Sequence, residues 1–78
     1  MARKISSQQL TEMLHRGIEL HGKGDLVSAE RLYRRVLRKA PRNEHANLFL
    51  AVIAKQLGKH ADAIRLLKKT ISINEKNA

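Results

Sequence analysis

The sequence predicts an all-α domain built from two tandem helix–turn–helix units, four helices in total. Three observations predict it. Gly24 and Gly58 lie 34 residues apart, and Gly24-x₄-Ala29-x₂-Leu32-Tyr33 recurs as Gly58-x₄-Ala63-x₂-Leu66-Leu67. The echo runs outward at the same offset, pairing Leu14 with Leu48, Gly17 with Ala51, Arg31 with Arg65, Leu37 with Ile71 and Asn43 with Asn77. A fixed period of this size marks one supersecondary unit stacked on a copy of itself. Apolar residues also recur at helical spacing, and no alternating strand pattern competes. Finally, helix start and stop signals fall where that periodicity begins and ends.

The first helix starts at Ser6, a cap that Gln9 completes as a capping box, with Ile5 and Leu10 as a hydrophobic staple. Leu10, Met13, Leu14, Ile18 and Leu20 give its apolar face, and Gly22 and Gly24 end it. Asp25 caps the second helix, which buries Ala29, Leu32, Tyr33, Val36 and Leu37. Pro41 stops it, because a proline pushes the preceding residue out of helical geometry. Asn43 caps the third helix. That helix is apolar almost continuously from Ala46 to Ala54, so burial on more than one side is expected. Gly58 ends it. The fourth helix is expected to bury Ala61, Ile64, Leu67 and Ile71, with Ala63 and Leu66 flanking.

At 78 residues the chain is one small domain with a limited core. It has no cysteine, so it has neither a disulfide nor a thiolate metal site, which fits a reducing compartment. The basic N-terminus lacks the apolar stretch of a secretory signal. The longest apolar run, Leu48 to Ala54, is far short of the ~18 residues a membrane span needs. A soluble, cytoplasmic protein is expected.

The net charge is +9, and its distribution is uneven. Residues 26–43 carry +5 and residues 59–76 carry +3, whereas residues 10–25 carry −1 and residues 44–58 are neutral. Arg31, Arg34, Arg35 and Arg38 face away from the apolar side of the second helix, and Lys68 and Lys69 extend the theme on the fourth. Such a basic surface suits nucleic-acid phosphates or an acidic membrane. No aromatic residues interleave for base stacking and no nucleic-acid motif is present, so a solvated face is the simpler reading and specific nucleic-acid binding is not expected.

Catalysis is not expected either. Glu12, Glu19, Asp25, Glu30, Glu44, Asp62 and Glu75 are scattered, mostly at helix starts or on wet faces, and no nucleophile sits beside a base. The glycines are turn formers, not a phosphate loop. His15 and His21 fall on different helix faces, and His15 can meet His45 across adjacent helices only without a third ligand. No metal and no cofactor are expected.

The repeat resembles the tetratricopeptide repeat, whose period is about 34 residues with the pattern W-x₂-L-G-x₂-Y…A-x₃-F…P. Residues 10–43 supply Met13-x₂-Arg16-Gly17-x₂-Leu20, then Ala29-x₃-Tyr33, then Pro41. Residues 44–77 supply Asn47-x₂-Leu50-Ala51-x₂-Ala54, then Ala63-x₃-Leu67, then Glu75. The resemblance implies a single domain over residues 1–78, with repeats at 10–43 and 44–77 and residues 1–9 as an N-terminal cap segment. It also implies four antiparallel helices in a right-handed solenoid. Gly17 and Ala51 are small where the helices of a hairpin approach, Ala29 and Ala63 where the second helix crosses its neighbours, and Tyr33 and Leu67 fill the gap beside them. Two positions depart from the pattern. Arg16 stands where leucine is usual, as expected on a face with no earlier repeat, and Glu75 replaces the proline.

The resemblance places Thr11, Leu14, His15, Ile18 and His21 in a concave groove, with His45, Leu48, Phe49, Val52 and Lys55 from the second repeat. Family members that grip acidic C-terminal peptides use asparagine and lysine at such positions. Here Leu14, Ile18, Leu48 and Val52 stand instead, so that clamp is absent and an amphipathic or apolar peptide is the expected partner. Arrays generally need about three repeats for stability. The open face of the second repeat is therefore expected to pack on another copy, making a homo-oligomer, or the chain to be the N-terminal arm of a longer protein. Similar arms precede transferase domains in some bacterial proteins, an implication of resemblance alone.

Overall fold

A computed structural model describes residues 6–77. It contains four helices, α1 (Ser7–Gly22), α2 (Leu26–Lys39), α3 (Glu44–Gln56) and α4 (His60–Asn77), with no strand among the described residues. Each helix packs on the next, and α3 also touches α1. The molecule measures 36 × 33 × 22 Å. Its thinnest dimension is close to two helix diameters, the thickness of two stacked helix layers.

The starts of α1, α2 and α3 form as the sequence predicts. Ser6 Oγ accepts from Gln9 N at 3.1 Å, and Gln9 Oε1 accepts from Ser6 N at 2.8 Å, closing the capping box. Asp25 accepts from Ser28 N and Asn43 from Ala46 N. Ile5, the other half of the expected staple, lies outside the described residues. Both intra-repeat turns end in the same motif. Gly24 and Gly58 have φ of +83° and +80°, the left-handed conformation that glycine adopts without strain. Asp25 N donates back to Leu20 O and Gly24 N to His21 O. Lys59 N and Gly58 N repeat the pattern on Ala54 O and Lys55 O. Gly22, expected to share in ending α1, is instead its last helical residue, and Gly24 alone makes the left-handed turn.

The core runs from α2 through α3 to α4, through Ala29, Tyr33, Leu50, Ala51, Ile53, Ala54, Ala63 and Leu66. Gly17 and Tyr33 explain the close approach in the first hairpin. A Cβ on Gly17 would stand 2.6 Å from Cε1 of the fully buried Tyr33 ring. The Tyr33 hydroxyl finds no hydrogen-bond partner among the described residues, and burial raises its pKa. Asn47, also fully buried, donates to Pro41 O at 3.1 Å and Asn43 O at 2.8 Å, fastening the turn between the repeats to α3.

The largest correction concerns α4. The helix buries Ala63, Leu66, Thr70 and Ile73, and exposes Ala61, Ile64, Leu67 and Ile71. Two apolar stripes compete on this helix, and α3 covers only one of them. Thr70 fits the covered stripe because its hydroxyl bonds to Leu66 O at 2.8 Å within the helix, leaving nothing polar unsatisfied. Leu67 therefore does not fill the gap that Tyr33 fills in the first repeat. On α2 the difference is smaller: Leu32 and Leu37 are half-buried where full burial is expected.

Candidate docking faces

The first helices of the two repeats, α1 and α3, build a cleft of about 390 Å³ lined by Thr11, Leu14, His15, Ile18, Asn43, His45 and Phe49. Six of these seven are the groove residues expected from sequence. Asn43 was legible only as a helix cap, a role its backbone position shows and its flank on the cleft does not. Phe49 is half-buried, with its ring centroid 5.8 Å from Tyr33 and 6.0 Å from His45. It thus joins the core to the cleft floor. Leu48, Val52 and Lys55 do not line the cleft and are exposed on α3. Their spacing from His45 puts them on the face that continues from it. His21 lies outside the cleft and instead shares a 2.6 Å hydrogen bond with Gln56 at the far ends of α1 and α3. Ile18, Leu48 and Val52 are large apolar side chains left substantially exposed here.

The basic surface is not one stripe. Arg31 and Arg35 join Arg16, from α1, around a cleft that Leu20, Asp25, Ser28 and Leu32 also line. Arg38 lies on another side, with Arg34, Leu37, Leu50 and Leu66. Lys68 and Lys69 are exposed on α4. Arg34 is drawn into an ion cluster, 3.1 Å from Glu30 and 3.7 Å from Asp62. In the sequence Arg16 is only a departure from the repeat pattern, because its neighbours Arg31 and Arg35 are distant along the chain.

Glu30 is the exception among acids that lie mostly at helix starts or on wet faces. It is buried between the repeats and accepts from Lys59 Nζ at 2.8 Å as well as from Arg34. The Lys59 hydrogen bond, opposed by burial and aided by Arg34, holds its carboxyl below the ordinary 4.5. A depressed folded-state pKa contributes stability that is fully present above the ordinary value and is lost as pH falls through the lower one. Wild-type stability is therefore expected to drop in that acid window, and Glu30→Gln to flatten the drop. Urea melts between pH 6 and 3 check this; parallel pH profiles for the two proteins would sink it.

Among the described residues, no three His, Cys, Asp or Glu side chains gather as metal ligands, and no helix is long and apolar enough to cross a membrane. No match was found among the curated proteins or among the solved structures. A family model described as tetratricopeptide repeat matches residues 20–78, which takes in α2, α3 and α4. With its 34-residue period, its paired hairpins and its left-handed glycines, the chain belongs to the tetratricopeptide repeat family.

Proposed function

We propose that the chain is a non-catalytic docking module whose α1–α3 cleft takes an amphipathic or apolar peptide. One observation carries this reading: residues from both repeats, Leu14, Ile18 and Phe49 among them, converge on a single cleft that His15 and His45 also line. Family membership supports protein partners in general, and apolar side chains exposed together mark contact surfaces. The net charge of +9 would speed encounter with an acidic partner without itself fixing the fit.

Phe49 is the anchor, as the large aromatic among the lining residues is the commonest kind of hot spot. Because it also packs on Tyr33, Phe49→Ala loses core contacts, so Ile18→Asp, on an exposed side chain, is the cleaner companion. A displayed peptide library panned on the wild-type protein is expected to yield binders with spaced apolar residues. Both variants should weaken those binders about tenfold or more while circular dichroism still reports a folded protein. Binders indifferent to both changes would refute the cleft as the site.

A further inference from the structure

The two repeats allow the same surface to be compared covered and uncovered. On α2, Glu30, Tyr33 and Leu37 face the second repeat. Tyr33 is 0% exposed under the Phe49 ring, and Glu30 is clasped by Lys59. Thirty-four residues on, the same positions of α4 hold Ile64, Leu67 and Ile71, which are 56%, 42% and 58% exposed. Their spacing lays them along one side of the helix. The charge differs in step. Arg34 is neutralised by Glu30, four residues before it, and by Asp62 from the covering repeat. Lys68 stands at the matching position, but four residues before it is Ile64, and no carboxylate among the described residues pairs with it.

On α2 the element lying over this face is a helix, α3, with Asp62 reaching in from the start of α4. A second copy stacked head to tail would bring α1 to that place. Where α3 presents Ala46, Phe49, Leu50 and Ile53, α1 carries Glu12, His15, Arg16 and Glu19. Four polar groups would be desolvated against isoleucine and leucine, with Lys68 able to pair with only one of the two carboxylates and nothing there for His15 and Arg16. A two-fold pairing of α4 with itself would set Lys68 of each copy along one seam, in a chain already at +9. We infer that the outer face of α4 docks an amphipathic helix of a partner protein, its apolar stripe on Ile64, Leu67 and Ile71 and a carboxylate against Lys68. This site is separate from the α1–α3 cleft and does not depend on it.

The probe is a synthetic helical peptide of about 18 residues, five turns long, with leucine and phenylalanine on one stripe and glutamate on its flanks. Its control carries lysine in place of each glutamate. Fluorescence anisotropy should show binding of the glutamate peptide that weakens with salt, and none of the lysine peptide. Leu67→Asp and Lys68→Glu should each weaken binding about tenfold or more, while Ile18→Asp leaves it unchanged. Ile64→Ser, at an exposed position, repeats the test should Leu67→Asp lose its fold by circular dichroism. Equal binding of the two peptides, no binding of either, or indifference to the α4 variants overturns the proposal. So does sedimentation equilibrium showing a dimer of the chain alone that Leu67→Asp dissociates, which would make a second copy the occupant. Because Ile18→Asp and Leu67→Asp act on different faces, failure of this docking face leaves the cleft reading standing, and the reverse holds too.

Discussion

Gly17→Leu is expected to abolish cooperative folding. A side chain at this position meets the Tyr33 ring at its first atom, with Cε1 and Cζ 2.6 and 2.8 Å from an added Cβ. The ring is fully buried and packed against Phe49, so it has nowhere to retreat. Overpacking by a methylene or two typically costs about 1–3 kcal/mol, and leucine adds four carbons where not even the first fits. The gain in helix propensity on leaving glycine, at most about 1 kcal/mol, does not offset this. Thermal melts by circular dichroism check it, and a sharp transition near the wild-type midpoint would sink it. The pair itself supplies a finer test, because the atoms nearest an added Cβ all belong to the Tyr33 ring, which a change to leucine removes. Gly17→Ala alone should destabilise, and adding Tyr33→Leu should recover part of the loss. That coupling appears as non-additivity in a double-mutant cycle.

The second large effect is expected at Leu50, the 34-residue counterpart of Arg16. Leu50 is 1% exposed between α2 and α4, flanked by Leu37 and Leu66, whereas Arg16 is exposed on the outer side of α1. Leu50→Arg puts a guanidinium into an apolar site already edged by Arg34 and Arg38, and should cost about 3–5 kcal/mol or more through lost packing and desolvation. Against a total stability of about 5–15 kcal/mol for ordinary domains, that is close to unfolding so small a chain. The reverse exchange, Arg16→Leu, should stay within about 0.5 kcal/mol, as surface substitutions usually do. Urea denaturation of both variants decides the matter. Similar losses at the two sites would show that the outer side of α1 is not free in solution.

These positions show what was legible before the structure. Ser6, Asp25 and Asn43 were readable as caps because capping is a matter of three or four consecutive residues. The 34-residue period located both hairpins, and through the family resemblance most of the α1–α3 cleft. The facing of α4 was not readable, since Ile64, Leu67 and Ile71 make as good a helical stripe as Ala63, Leu66, Thr70 and Ile73. The larger side chains drew the expectation, but α3 covers the other side. Glu30 was missed for a related reason. Its principal partner, Lys59, is 29 residues away, and nothing local marks a glutamate as buried. The arginine cleft of Arg16, Arg31 and Arg35 likewise exists only once α1 and α2 are folded together.

Of the four helices, α3 is the one that packs on all the others, and α1 and α4 share no direct packing. The chain therefore has the connectivity of a short line with a single keystone. Disorder in α4 leaves the packing of α1, α2 and α3 in place, but disorder in α3 strips α4 of its main neighbour and leaves α1 and α2 only each other. Packing between the first hairpin and α4 therefore runs chiefly through thirteen residues, Glu44–Gln56, and the coupling of the two repeats is set by how firmly that one segment is held.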